Sequence, residues 1–266
     1  MTDDPHAAST PDREAVVERY SGLARIAVAG GTPLDGCDAG SSGDCYGAAR
    51  YMADDLGDVP EAALRAGLGC GNPHAAAHIF PGDTVLDLGS GGGLDVILSA
   101  RRTGPTGHVY GLDASPDMLA LARRNLADAG VTNAELLHGH IEAVPLPDET
   151  VDVVISKCVV NLSPDKPAVL AEAHRVLRPG GRVGITDLVA DPGLDGAHRR
   201  AAALRAGAAA GTLTVEEYRR ALVAAGFTDA EVRPTHEVET GVRSAIVSAR
   251  RPPHPAAPPE PTPAHR

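Results

Sequence analysis

The stretch VLDLGSGGG, Val85 to Gly93, and an aspartate at position 113 combine residue types suited to holding a small charged ligand. Gly89, Gly91 and Gly93 let the backbone turn tightly and let a ligand lie against bare main chain, where a Cβ would collide. The helix expected next offers unpaired N–H groups at its start. Asp113, roughly 20 residues downstream, can accept hydrogen bonds from both hydroxyls of a ribose. A pyrophosphate loop normally keeps GxGxxG spacing so that the phosphates meet the helix N-terminus. Here the pattern is D-x-G-x-G-x-G, and Asp87 ahead of the first glycine would repel a pyrophosphate and favour a cation. A glycine loop alone is weak evidence, because a tight strand-to-helix turn needs no ligand.

Two cysteines flank this core, Cys70 in LGCGNP (Leu68–Pro73) and Cys158 in ISKCVVNLSPDK (Ile155–Lys166). A cysteine that serves only as a small hydrophobe usually sits on an apolar strand or helix face. Cys70 instead sits between Gly69 and Gly71, in a turn that no core needs. Cys158 follows the fourth expected strand beside Val159 and Val160, so a core role for it stays open.

The elements that must position these groups are well marked. From Thr84 onward short apolar strands alternate with helices, which argues for a parallel sheet. The strands are expected at Thr84–Leu88, His108–Leu112, Ala134–Leu137, Val151–Ile155 and Arg182–Thr186, with two more near Ala230–Thr235 and Ala245–Arg250. Ser115 can cap a helix with Pro116 at its first position, and Gly130 ends it. Thr214 with Glu217 makes a capping box, and Gly226 stops that helix. Upstream, Arg13–Ala29 predicts one amphipathic helix, and Tyr51–Ala66 another that Pro60 breaks or restarts. The division expected is a disordered start (1–12), a helical, cysteine-bearing cap (13–75), a catalytic α/β domain (76–251) and a disordered Pro-rich tail (252–266).

With 266 residues and 43% hydrophobic content, the chain can bury a full α/β core, filled by Ala, Val, Leu and Ile because Trp is absent. A formal charge of −11 argues against nucleic acid or an anionic membrane surface as partner. No apolar run approaches the roughly 18 residues of a membrane span, and no signal-peptide core is visible, so a cytoplasmic monomer is expected. The four cysteines are then expected as thiols or as metal or metalloid ligands rather than structural disulfides. Zinc is disfavoured, since Cys37 and Cys45 lack C-x₂₋₄-C spacing and no paired histidines follow.

The D-x-G-x-G-x-G loop with Asp113 resembles the S-adenosylmethionine site of class I methyltransferases, whose ligand carries an ammonium and a sulfonium. LGCGNP and ISKCVVNLSPDK narrow the resemblance to the arsenite S-adenosylmethionine methyltransferases, from about Tyr51 to Gly226. The resemblance implies a Rossmann-like α/β fold, a seven-stranded sheet ending in an antiparallel hairpin. It also implies that Gly89 and Gly91 approach the methionine part, Asp113 holds the ribose, and Ala114 to Met118 line the adenine. His140, Ile141 and Glu142 stand where such enzymes embrace the adenine, although His140 reads equally well as a solvated loop residue. Asp87, Ser90, Ser156 and Tyr51 complete the implied cofactor set. Cys70 and Cys158 are the implied arsenic ligands, and Cys37 and Cys45 are expected to join the thiol chemistry, with glutathione or thioredoxin as reducing co-substrate. Two exposed loop thiols are the plain alternative for Cys37 and Cys45.

Trivalent arsenic is soft and prefers thiolates to oxygen or nitrogen. Its lone pair attacks a sulfonium methyl in line and carries no proton, so no general base is needed and alignment does the catalysis. Lys157 is expected to lower the thiol pKa of Cys158 if its side chain turns inward, a local expectation because the family more often has Asn there. One departure matters. Where the family usually carries a third cysteine, in a segment resembling GCVAGAL, this chain has GAAAGTL (Gly207–Leu213) with Ala208 at the cysteine position. The expectation is a preference for methylarsenite, which needs two thiolates, with arsenite dependent on an outside thiol or on Cys37 or Cys45. A methyltransferase for a small organic metabolite and a non-catalytic metalloid-binding protein are the alternatives.

Overall fold

The computed structural model describes residues 13–31, 51, 56–69, 71–208 and 210–254. Expectations for residues 1–12, for the tail from 255 and for Cys37, Cys45 and Cys70 fall outside them.

The strands are β1 (Thr84–Leu88), β2 (His108–Asp113), β3 (Ala134–His138), β4 (Val151–Lys157), β5 (Leu177–Ala190), β6 (Leu213–Thr214), β7 (Thr228–Glu239) and β8 (Val242–Arg250). They form one sheet in the order β3-β2-β1-β4-β5-β8-β7, with β6 beside β5. The expected seven strands are therefore joined by an eighth, of two residues, parallel to the end of β5. β8 runs antiparallel to both β5 and β7, which makes the C-terminal hairpin. The helices are α1 (Arg13–Val28), α2 (Glu61–Arg65), α3 (His74–Ala77), α4 (Leu94–Thr103), α5 (Pro116–Asp128), α6 (Lys166–Val176), α7 (Gly196–Arg205) and α8 (Val215–Ala224).

Side chains alternate across β1, so Leu86 and Leu88 bury on one face of the sheet and Val85 on the other. The first face packs on Val169, Leu170 and Val176 of α6 and Leu222 of α8, the second on Val96, Ile97 and Ala100 of α4. A sheet covered on both faces needs continuous apolar strands, and VLDL and VDVVIS supply them. The helix starts follow their local signals. Ser115 accepts from the Met118 N–H with Pro116 behind it, and Thr214 and Glu217 make both bonds of the capping box.

Of the helix read over 51–66 with a break or restart at Pro60, the described residues contain helical Leu56 and, after a turn, α2 with Pro60 at its N-cap, φ −56°. One expectation changes. β5 is far longer than Arg182–Thr186. A register shift between Val151 and Val153 lets Leu177 pair with Val151 while Arg182 pairs with Val153.

Candidate active site

The sheet order reverses between β1 and β4, and ligands in open α/β sheets bind beyond the carboxyl ends of the strands at such a point. The glycine loop leaves β1 here and Cys158 follows β4. Both line one cavity of about 1320 Å³ including its open mouth. Gly89, Ser90, Gly91, Asp113, Ala114, Met118, His140, Ile141 and Glu142 line it too, so ten of the residues singled out from sequence, Cys158 included, converge there.

The loop is shaped by contact. Gly89 has φ +75°, and a Cβ there would come within 2.4 Å of Val159. Gly91 donates its N–H to Asp113 Oδ2 at 2.8 Å, and Ser115 donates to Oδ1 at 2.8 Å. Burial pushes the Asp113 carboxyl up, and these N–H groups oppose it. A Cβ at Gly91 would meet no protein atom within 4 Å. An open glycine cradle facing a carboxylate fits a ligand with a ribose beside an uncharged backbone surface. Glu142 is held by Ser163 Oγ at 2.5 Å and by Arg13 at 3.5 Å.

Three of the expected cofactor residues do not line the cavity. Ser156 is fully buried in the sheet, its hydroxyl donating to the Leu88 carbonyl at 3.1 Å. Tyr51 donates to Asp95 Oδ1 at 2.5 Å, which spends its hydroxyl on a protein partner. Asp87 is 2% exposed, and burial, reinforced by neighbouring Asp95, raises its carboxyl well above the usual range.

The cavity also has a wall that no local signal announces. Val16, Val17 and Tyr20 of α1 line it, and α1 is fastened over α5 by a buried Ser21–Ser115 hydroxyl pair at 2.8 Å and by Arg25 to Asp117 at 2.7 Å. At the opposite end Lys157 turns inward but toward Asp95, with Nζ 2.8 Å from Oδ2 and 3.0 Å from the Tyr51 hydroxyl. His74 Nε2 lies 3.1 Å from Asp95 Oδ1. Burial pushes Asp95 up, yet the Lys157 ammonium and His74 overcome it and hold the carboxyl below its ordinary range. The sequence expectation that Lys157 activates Cys158 therefore meets a lysine whose charge is matched by Asp95.

Cys158 has a left-handed backbone, φ +56°, and its N–H donates to the Thr186 carbonyl at 2.8 Å. A non-glycine residue held there stores strain of the kind found at functional sites. Its sulfur is in a disulfide, whose other half lies outside the described residues. Of the two glycines around Cys70, a Cβ on Gly69 would lie 3.3 Å from Cys158 Cβ, and one on Gly71 3.0 Å from Thr186. Ala208 is buried in an apolar cluster with Leu188, Ala202, Ala203, Ala206 and Val242, and Cys158 packs against that cluster. Position 208 also lines the cavity. Among the described residues no group of three or more His, Cys, Asp or Glu side chains could hold a metal ion.

Asp187, fully buried at the cavity wall, accepts from Asn161 Nδ2 at 2.7 Å and from the Leu188 N–H at 2.9 Å. Burial pushes its carboxyl up to about 7, against the Leu188 N–H, Lys166 and Asn161. A folded-state value above the unfolded one favours the protonated form, so this stability is present below about pH 4 and lost as pH rises through about 7. Asp187→Asn mimics the protonated acid. Its stability gain over the wild type should grow by roughly 2–4 kcal/mol between pH 5 and pH 8 in denaturant titrations. A pH-independent difference would contradict this assignment.

A second prediction concerns Asp113. Asp113→Asn replaces one acceptor oxygen by an NH₂ facing the N–H of Gly91 or Ser115, and should cost about 1–3 kcal/mol of stability in denaturant titrations. An unchanged stability in the variant would show that these two bonds do not hold the loop.

Comparison with known proteins agrees with this geometry. Residues 79–226 match the family model described as a methyltransferase domain. The arsenite methyltransferase of Halobacterium salinarum is 45% identical over 235 residues, 85% of this chain and 59% of that protein. The arsenite methyltransferase of Aquipseudomonas alcaligenes is 35% identical over 72% of this chain and 57% of its own length, so the chain spans less than two thirds of either relative. The crystal structure of an arsenic (III) S-adenosylmethionine methyltransferase from Chlamydomonas reinhardtii superposes with a TM-score of 0.63 at 33% identity, covering 75% of this chain and 72% of that one. With the glycine cradle, Asp113 and Cys158 gathered at the switch point of a class I sheet, the chain belongs to the methyltransferase-domain family and, within it, to the arsenite methyltransferases.

Proposed function

We propose that this protein transfers a methyl group from S-adenosylmethionine to trivalent arsenic held by the thiolates of Cys70 and Cys158. The observation that carries the reading is a single cavity lined by the cofactor-type glycine loop and by Cys158. Asp113 would hold the ribose, Gly89 to Gly91 would face the methionyl part, and Ile141 and Met118 would flank the adenine. When bound, S-adenosylmethionine supplies an electrophilic methyl on a sulfonium. The chain's own residues then supply alignment and exclusion of water. Arsenic brings its own lone pair, so the site needs no base, and Leu188, Ala206 and Ala208 give the cavity wall an apolar stretch against which Cys158 packs.

The Cys158 disulfide must open before the sulfur can ligate. A thiol reductant of the glutathione or thioredoxin class would deliver the two electrons. The substrate is a small molecule, and cytoplasmic operation fits an enzyme that needs reduced thiols. With Ala208 in place of a third cysteine, methylarsenite is the preferred acceptor, because it has two exchangeable ligands rather than three.

The test is incubation of the full chain with S-adenosylmethionine, a thiol and either arsenite or methylarsenite, followed by separation of arsenic species. Methylated arsenic is the expected product, formed faster from methylarsenite. A protein that only sequesters metalloid would retain arsenic and leave the methyl donor unconsumed. An enzyme for an organic metabolite would methylate neither arsenical, and either result overturns the proposal.

A further inference from the structure

α1 is tied to two neighbouring strand ends. Midway along it, Ser21 pairs with Ser115, buried at 2.8 Å, in the turn that follows β2. Ser115 is part of the ribose-facing corner, since its N–H donates to Asp113 Oδ1 at 2.8 Å. At the first residue of α1, Arg13 Nε lies 3.5 Å from Glu142 Oε1, in the loop that follows β3, and Ser163 Oγ donates to the same oxygen at 2.5 Å. Arg13 and Ser21 are roughly 12 Å apart along the helix axis. Between these two ties Val16, Val17 and Tyr20 are half-buried and line the cavity, together with Asp113, Met118 and Ile141.

The two ties differ in strength. Beyond Ser21 the helix packs Leu23, Ala24 and Ala27 against Ala66, Met118 and Leu121, and Arg25 bonds Asp117 at 2.7 Å. The Arg13 pair is at 3.5 Å and its arginine is half exposed, an interaction that water and salt weaken. The part of α1 that borders the cavity is therefore the part that can move without unpacking the core. We propose that this part, Arg13 to Tyr20, is a lid on the nucleoside end of the cofactor. Val16, Val17 and Tyr20 close on the adenine, and the Arg13–Glu142 pair is the latch that sets how fast the spent cofactor leaves. This rests on the reading that the cavity takes S-adenosylmethionine, and adds what covers it and what controls its release. A ligand that buries the inner face of α1 stabilises the docked helix by the same factor that the helix adds to its affinity.

The test is hydrogen exchange of the full chain with and without S-adenosylhomocysteine, with the β7–β8 hairpin, which does not line the cavity, as the reference. The ligand should slow exchange at Val17 to Tyr20 roughly tenfold or more, and far less in the hairpin. 5′-Methylthioadenosine, which keeps the adenosine and lacks the amino-acid end, should protect the same amides. Saturating S-adenosylhomocysteine without protection of these amides, or protection that methylthioadenosine does not reproduce, would overturn the lid. Arg13→Gln should speed S-adenosylhomocysteine dissociation roughly threefold, the scale of one half-exposed ion pair. Arg13→Lys, which keeps the charge, should restore most of the slow release. Dissociation from the wild type should quicken as ionic strength rises, and dissociation from Arg13→Gln should not. An unchanged rate in Arg13→Gln would remove the latch. Val17→Asp sets a charge against the ring and should weaken binding roughly tenfold, and unchanged affinity would contradict the contact. If that variant does not fold, the exchange of the wild type decides alone. A wild type that binds no S-adenosylhomocysteine would refute the cofactor reading itself, whereas binding without α1 protection would refute the lid and leave that reading standing.

Discussion

Serine at position 158 should end methyl transfer to arsenic while leaving S-adenosylmethionine affinity and the fold in place. Serine keeps the shape of the side chain, the backbone bond to Thr186 and the contact with the Ala208 cluster. What it removes is the soft donor, and trivalent arsenic does not exchange its hydroxyls for an alcohol as it does for a thiolate. Cys70→Ser should behave alike, since two thiolates act on one arsenic atom and a single one cannot hold it in line with the methyl group. Arsenic speciation after incubation with methylarsenite reads the loss, and calorimetry with S-adenosylmethionine reads what is retained. A wild-type rate in either variant would show the two-thiolate model to be wrong.

The second large effect is on stability. Lys157→Met should destabilise the protein by roughly 3–5 kcal/mol, because it strands the Asp95 charge in a site where both side chains are under 10% exposed. Tyr51 and His74 still contact Asp95 but do not replace the lysine ammonium. Joining Lys157→Met with Asp95→Leu should recover most of that loss, as removing both ions leaves no uncompensated charge. Asp95 also fixes a pH dependence. Its carboxyl is held below the ordinary value, so the stability it contributes is present above about pH 4 and lost as pH falls further. Denaturant titrations of the single and double variants check the coupling. Purely additive losses would show that the pair is not an energetic unit.

What the sequence carried, it carried locally. The Ser115 cap and the Thr214–Glu217 capping box each depend on residues a few positions apart, and each forms as read. The cavity contacts of His140, Ile141 and Glu142 followed from the family pattern of the third strand end. What escaped depends on long-range contact. The Lys157–Asp95–Tyr51–His74 cluster joins segments up to 106 positions apart, so no periodicity or spacing announces it. Tyr51 was expected on the cofactor and Lys157 against Cys158, and both are drawn to Asp95, which no motif singled out. The α1 wall was legible as an amphipathic helix but not as a cover of the cavity, because amphipathicity names a buried face and not its partner.

The measurement that bears most directly on the proposed function is methyl transfer followed atom by atom. The protein, reduced and supplied with thiol, is incubated with methylarsenite and S-adenosylmethionine carrying a deuterated methyl group, and the arsenicals and S-adenosylhomocysteine are quantified by mass spectrometry. Arsenic that has gained one deuterated methyl is expected, in amounts equal to the S-adenosylhomocysteine formed, and none with Cys158→Ser. Arsenic recovered without the label, whether or not the cofactor is consumed, would contradict it.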